Sequence, residues 1–503
     1  MRESAKPHKL CPRRFLATPN KTMPVNENEQ SAARAPREAA SEQAARAAGR
    51  PEPRTLRRGE EAVPGHMGGL LAGPGQGLDL DAGRVQGRRL GGVVGRRLAA
   101  IGAATRIPFR AVFADGSVYS SCEQFGSPPA FTVTFNSVRA EMRVIAYGHT
   151  GLLESYFDGS VDIDGNLALA ARAAFDSGFD HDSNPLVGLR NRWHEFRFSN
   201  ASAAQAKNNA RFHYGLGKKF YQPWLDRVGM MYTCAYWKEG TSTLEEAQLN
   251  KMDHVCRKVD LKSGETFVDI GCGWGGLLFH ALEHYGAVGT GINTTTEQVA
   301  ELRGEVASRG LSDTISVVEC DFREIPGQYD KLLSIGTLEH AGRDQLPAVV
   351  KAHADAMKPG ALGVIHFIGH VGRFETEFYV RKHIFPGGWI PSLAAAIEAM
   401  EENGLEVLDV ENLRRHYALT LDAWAERFDA NWDAIHALDP VRFNECFRRT
   451  WRAYLWACAE MFRSRNGRTH LFQVLVSKGN IAGNYPMSRA FLYRPATPDF
   501  RPS

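Results

Sequence analysis

The sequence predicts an α/β protein: a doubly wound, mainly parallel seven-stranded sheet with a helical insertion, preceded by a small α+β domain. Three observations carry this. Short apolar runs alternate with helix-period segments over residues 266–410, with short connections between them. A glycine-rich turn joins the first of these runs to a helix, in the order Val268-Asp269-Ile270-Gly271-Cys272-Gly273-Trp274-Gly275-Gly276. A Trp- and Arg-rich helical stretch, Leu421–Arg465, separates the last two strands.

Composition narrows the function. Of 503 residues, 43% are hydrophobic and 23% charged, which excludes a wholly disordered chain, a coiled coil or a collagen-like fibre. The 60 basic and 57 acidic side chains nearly cancel, so the chain is no polycation built for nucleic acid. Residues 1–100 hold 18 Lys and Arg against 10 Asp and Glu, a net of +8, which leaves the remainder at −5. The eight cysteines form no C-x-x-C pair, so neither a zinc ribbon nor any other metal site is expected, and their scatter suits a reducing cytoplasm. The longest early apolar run, Leu90–Ala104, is broken by Arg96 and Arg97, so any membrane contact is expected to be peripheral.

The elements follow in order. Residues 1–105, rich in Ala, Arg, Gly and Pro, read as a disordered basic leader with a short helix around Ser31–Gly49. Residues 106–180 read as the small domain: strands at Phe109–Phe113, Ala130–Phe135, Leu152–Phe157 and Val161–Ile163, then a helix at Leu167–Phe175. Residues 181–210 are a polar connector with some helix. In 211–480, strands are expected at Thr266–Ile270, Val288–Ile292, Ile315–Val318, Lys331–Ile335, Gly363–Ile368, Leu405–Val410 and Leu471–Val476. Helices fall at Gly276–Tyr285, Thr296–Arg309, Gln345–Met357 and Ser392–Asn403, and 481–503 form a tail.

The spacing D-x-G-x-G-x-G departs from the dinucleotide pattern and suits a nucleoside without a pyrophosphate, such as S-adenosylmethionine. An acid about twenty residues on would hold the ribose hydroxyls; here Asn293 stands in that place. Taken singly, the other candidates have plainer readings. His366 on an apolar strand is more often a satisfied core residue, Glu339 a helix cap, Tyr417 packing, and Cys234 and Cys458 small buried hydrophobes.

Taken together, several blocks resemble the cyclopropane-fatty-acyl-phospholipid synthase family, and the mycolic acid cyclopropane synthases share many of them. They are Tyr232–Trp237, Thr243–Gln248, Asp269–Gly276, Gly336–His340, Ile384–Gly388, His416-Tyr417 with Thr420–Trp424, and Cys458–Arg463. The resemblance spans about 205–480, and residues 106–180 are similar to the small N-terminal domain of the phospholipid-acting branch. It implies a Rossmann-like methyltransferase domain that makes cyclopropane rings from cis-unsaturated phospholipid chains, or, as the alternative, methyl-branched or methylene chains. It implies an S-adenosylmethionine site of Tyr232, Thr233, the turn Val268–Gly276, Asn293, Thr294, Gln298, Asp321 and Phe322. It also implies a bicarbonate ion as general base, held by Cys234, Glu339, His366, Ile368 and Tyr417; Cys458 is the position often called the active-site cysteine. The implied partners are unsaturated phospholipid acyl chains and the inner face of the membrane, with no nucleic acid and a homodimer left open. Two departures stand out. The family's His-Tyr-Asp reads His213-Tyr214-Gly215, which is expected to loosen a helix start. Its Asn-Asp pair is Lys218-Lys219, which beside Phe220, Tyr221 and Trp224 offers a contact for an anionic bilayer.

Overall fold

The computed structural model describes residues 89–179, 185–481, 483 and 485–493. The leader up to residue 88, with the helix expected at Ser31–Gly49, and most of the tail lie outside these. Two sheets organise the described residues. The small one has strands β1 (Phe109–Val112), β2 (Val118–Ser120), β3 (Phe131–Phe135) and β4 (Val161–Gly165) in the order β2-β1-β3-β4. The large one has β5 (Thr266–Ile270), β6 (Val288–Asn293), β7 (Ile315–Glu319), β8 (Tyr329–Ile335), β9 (Met357–His370), β10 (Leu405–Asn412) and β11 (Thr469–Lys478). Its order is β10-β11-β9-β8-β5-β6-β7, parallel from β9 to β7 and antiparallel where β11 inserts between β9 and β10.

Alternation along each large-sheet strand builds the two cores. Val268, Ile270, Ile365, Phe367, Val474 and Val476 face the helices Leu346–Asp355 and Leu393–Glu402. Phe267, Leu333, Val364 and Leu475 face Leu244–Lys258, Gly276–Tyr285 and Thr296–Ser308. The insertion forms helices Arg414–Ala430, Trp432–Leu438 and Glu445–Arg463, whose Trp424, Phe428, Trp451 and Tyr454 close an aromatic core on Phe220, Tyr221 and Trp224.

Four expectations need correction. Residues 89–105 are not part of a disordered leader: Arg89–Thr105 is a helix whose Val94, Leu98 and Ile101, at i, i+4 and i+7, complete the small-domain core. Arg96 and Arg97, which break the run in one dimension, stand on its exposed side. Leu152–Phe157 is not a strand but the end of helix Val138–Phe157, capped where Ser137 Oγ accepts from Ala140 N and bent at Gly148. Gly215 follows the C-terminus of helix Ala203–Tyr214 rather than opening a helix. Finally, Phe220, Tyr221 and Trp224 are fully buried, so they offer nothing to a bilayer.

The small domain is fastened to the large-sheet domain by two arginines. Arg172 grips both oxygens of the buried Glu460 (2.7 and 3.0 Å), and Arg449 reaches Asp162 at 2.7 Å and the carbonyls of Tyr156 and Val161.

Candidate active site

The glycine turn leaves the carboxyl end of β5, where the strand order reverses and a crevice opens. Gly271 N and Cys272 N donate to Ile292 O at 2.9 and 3.1 Å, which folds the turn back over β6. Gly271 (φ +79°) has no room for a side chain: a Cβ would lie 2.6 Å from Thr337 Cγ2. Gly273 (φ +55°) lines the cavity, and a Cβ there would meet nothing.

A loop running from Asp226 to Trp237 forms the opposite wall. Asp226 accepts from Gly229 N and Met231 N, both at 2.7 Å. Gln248 Nε2 donates to Thr233 O (2.9 Å), and the buried Lys251 Nζ to Thr233 Oγ1 (3.0 Å). Both come from helix Leu244–Lys258, which a capping box of Thr243 and Glu246 starts. Burial lowers Lys251 to about 8, against the attraction of Asp226 and Asp269, and raises Asp269 to about 7, against that of Lys251. Asp269 belongs to the expected cofactor turn, whereas Lys251 carries no local sequence signal.

Not every expected cofactor residue faces the cavity. Tyr232, Thr233, Asp269, Gly271, Cys272, Gly273, Trp274, Asn293, Thr294, Gln298 and Phe322 line it, whereas Val268, Ile270, Gly275 and Gly276 lie behind them as scaffold. Asn293 Nδ2 donates to Gln298 Oε1 (3.1 Å) and its Oδ1 accepts from Thr295 N (2.9 Å). Asn293 therefore positions Gln298, whose amide nitrogen is left to reach a ligand. Asp321 also lies off the cavity wall, and Arg323 Nε and a terminal guanidinium nitrogen each hold one of its oxygens at 2.7 Å. Arg323 thereby braces the turn that carries Phe322, and each carboxylate oxygen keeps a lone pair with which to accept.

The five residues expected to form the base pocket converge from four segments. Glu339 sits in the short turn Leu338–His340 after β8; its Oε1 accepts from Ile368 N at 2.6 Å, and its Oε2 is buried with no hydrogen-bond partner. Burial lifts its pKa to about 7, against the pull of the Ile368 N–H. His366 on β9 is buried, and Gln473 Nε2, directly opposite it on β11, lies 3.1 Å from Nδ1. That contact engages Nδ1 and leaves Nε2 as the ring nitrogen available to a ligand. Burial holds the ring well below the ordinary histidine value. The Tyr417 hydroxyl is kept protonated by burial and by the neighbouring Cys234, Glu339 and Cys458. Cys234, wholly buried, has its thiol pushed far up. Burial takes the Cys458 thiol up to about 12 despite a bond with Tyr379, so it is no thiolate nucleophile at neutral pH.

All of these groups line one cavity of about 790 Å³. It runs from the glycine turn past Tyr417 and Cys458 and continues into the small domain. Ile163, Leu167, Ala170 and Ala174 line it there, with Phe109, Phe131 and Val133 of the small sheet at its end. Its walls are mostly apolar, with polar groups at the turn, in the Glu339 pocket and at Asn191, Arg192, Glu375, Glu377 and Arg468. Among the described residues no group of His, Cys, Asp and Glu is placed to hold a metal ion.

Comparison with known proteins agrees with this architecture. The family model described as mycolic acid cyclopropane synthetase matches residues 201–474. The chain is 33% identical over 403 residues to a probable fatty acid methyltransferase of Pseudomonas putida, covering 77% of this chain and 97% of the relative. It is 33% identical over 346 residues to the cyclopropane-fatty-acyl-phospholipid synthase of Escherichia coli K12, covering 67% and 85%. Among solved structures, the cyclopropane synthase MmaA2 from Mycobacterium tuberculosis superposes with a TM-score of 0.51 at 26% identity, over 54% of this chain and 98% of its own. A cavity-lining glycine turn at the switch point, an aromatic helical insertion and a family match over more than half its length place this chain in the mycolic acid cyclopropane synthetase family, as an S-adenosylmethionine-dependent methyltransferase.

Proposed function

We propose that this enzyme converts cis-unsaturated acyl chains of phospholipids to cyclopropane chains at the inner face of the membrane, with bicarbonate as the base. One observation carries the reading. A carboxyl oxygen, Glu339 Oε2, is buried without a partner in a mostly apolar cavity, beside an imidazole and a phenol that are both held neutral. A small oxyanion with one proton completes that set; an acyl chain alone does not.

When bound, S-adenosylmethionine supplies an electrophilic methyl group and bicarbonate a base. Asp269, Gln298 and the open face of Gly273 offer the polar cradle for the first. His366 Nε2 and the Tyr417 hydroxyl donate toward the second, while Glu339, fixed at Oε1 by Ile368, gives or takes a proton at Oε2. The apolar walls shut out water, which would capture a cation on the acyl chain before the ring closed. The small-domain end of the cavity accommodates the part of the chain beyond the double bond.

A second reading has its own support: the Pseudomonas relative that aligns over 97% of its length is named a fatty acid methyltransferase, which fits a methyl-branched product. Carbonate dependence tests the base. In carbonate-stripped buffer the rate should fall about tenfold or more and return on adding bicarbonate, with cofactor affinity unchanged. An enzyme indifferent to carbonate would leave Glu339 itself as the base.

A further inference from the structure

Helix Pro185–Arg197 is inside out. Its buried side is polar: Asn191 Nδ2 donates to Thr376 O (3.1 Å) and its Oδ1 accepts from Arg381 (3.1 Å). On the same side, His194 Nε2 donates to Arg381 O (3.1 Å) and Arg190 pairs with Glu154 (2.8 Å). Its outer side carries Leu189, Trp193 and Phe196, at i, i+4 and i+7, exposed by 67, 65 and 84%. A helix on a globular surface normally does the reverse. With Leu186 (52% exposed), three residues before Leu189, these side chains form one stripe; the other exposed apolar residues are single or, like Val138 and Met142, no more than paired.

We propose that this stripe is the membrane-docking face of the enzyme, lying in the headgroup layer of a lipid bilayer and feeding acyl chains into the cavity. The inference rests on the lipid substrate proposed above. Two features single out a lipid surface. The cavity reaches the surface along this same helix, where the exposed Pro185, Gly188 and Arg192 line it, so docking and entry coincide. Exposed Arg192 and Arg197 flank the stripe, the latter with its guanidinium 5.6 Å from the Phe198 ring, and they match anionic phosphate. A second copy of the chain is a poorer occupant. Four such side chains cover roughly 600 Å², short of the roughly 800 Å² per partner of a stable interface.

The test is sedimentation with vesicles of phosphatidylglycerol and phosphatidylethanolamine bearing cis-monounsaturated chains. It compares the full chain with the triple variant Leu189→Gln, Trp193→Gln, Phe196→Gln. The variant should bind on the order of a hundredfold more weakly. It should keep S-adenosylmethionine binding, molecular mass and turnover of detergent-dispersed lipid. Undiminished vesicle binding by the variant, or a parent that does not bind vesicles, would overturn the proposal. So would a fall from dimer to monomer with vesicle binding unchanged, which would make the stripe a subunit interface. A hundredfold binding loss in a chain whose parent turns over no lipid would uphold the docking face while removing the proposed function.

Discussion

Replacing Glu339 by Gln is expected to lower turnover by about a thousandfold while leaving S-adenosylmethionine affinity within about twofold. The amide keeps the oxygen that accepts from Ile368 N, so the turn after β8 stays in place. It cannot exchange a proton at the unpartnered position, where the base pocket needs one. Single-turnover kinetics and calorimetry separate the two effects. An equal loss of affinity and rate would move Glu339 from the base pocket to the cofactor site.

The same variant should be more stable than its parent in alkaline buffer. The folded protein raises the Glu339 pKa from 4.5 to about 7, so it holds that proton more tightly than the unfolded chain does. Stability from this group is therefore fully present below pH 4.5, declines as pH rises from 4.5 to 7, and stays lost above. Glutamine has no proton to lose. The difference in melting temperature, variant minus parent, should grow between pH 5 and pH 8; a constant difference would place the Glu339 carboxyl in water.

The second large effect concerns the glycine turn. Gly273→Leu should weaken S-adenosylmethionine binding by at least about a hundredfold in a protein that still folds. The new side chain has nothing to strike on the protein side and projects from a turn that lines the cavity. The left-handed backbone costs about 1–2 kcal/mol, which a domain of this size tolerates. Gly271→Val is a poorer probe, because its Cβ would collide with Thr337 and unfolding would mimic loss of binding. Unchanged affinity in a folded Gly273→Leu protein would remove the turn from the site.

The catalytic sheet is readable in the sequence because its central strands are buried on both faces and come as nearly continuous apolar runs, such as Phe267–Ile270 and Val364–Phe367, each broken only by a polar site residue, Asp269 or His366. Helix Arg89–Thr105 escapes notice because Ala and Gly dilute its stripe, and helix Pro185–Arg197 because its apolar residues face outward. The base pocket is legible as separated motifs, yet the groups that tune it are not. Gln473 meets His366 only through the antiparallel register of β11 on β9, and Lys251 reaches Thr233 only once two distant segments pack. The pairing of Asp321 with Arg323, two residues on, is likewise a contact that an isolated motif does not announce.

Ring formation is the central claim, and the fate of the transferred methyl tests it most directly. Methyl transfer to the double bond leaves a cation on the chain, and the product depends on which carbon then loses a proton. A base held by Glu339, His366 and Tyr417 on the side of the incoming methyl takes that proton from the methyl itself. With S-adenosylmethionine carrying a fully deuterated methyl, mass spectrometry should find two deuterons retained per modified chain, and the olefinic proton signals should disappear. Retention of all three, with a methyl branch, would contradict the account.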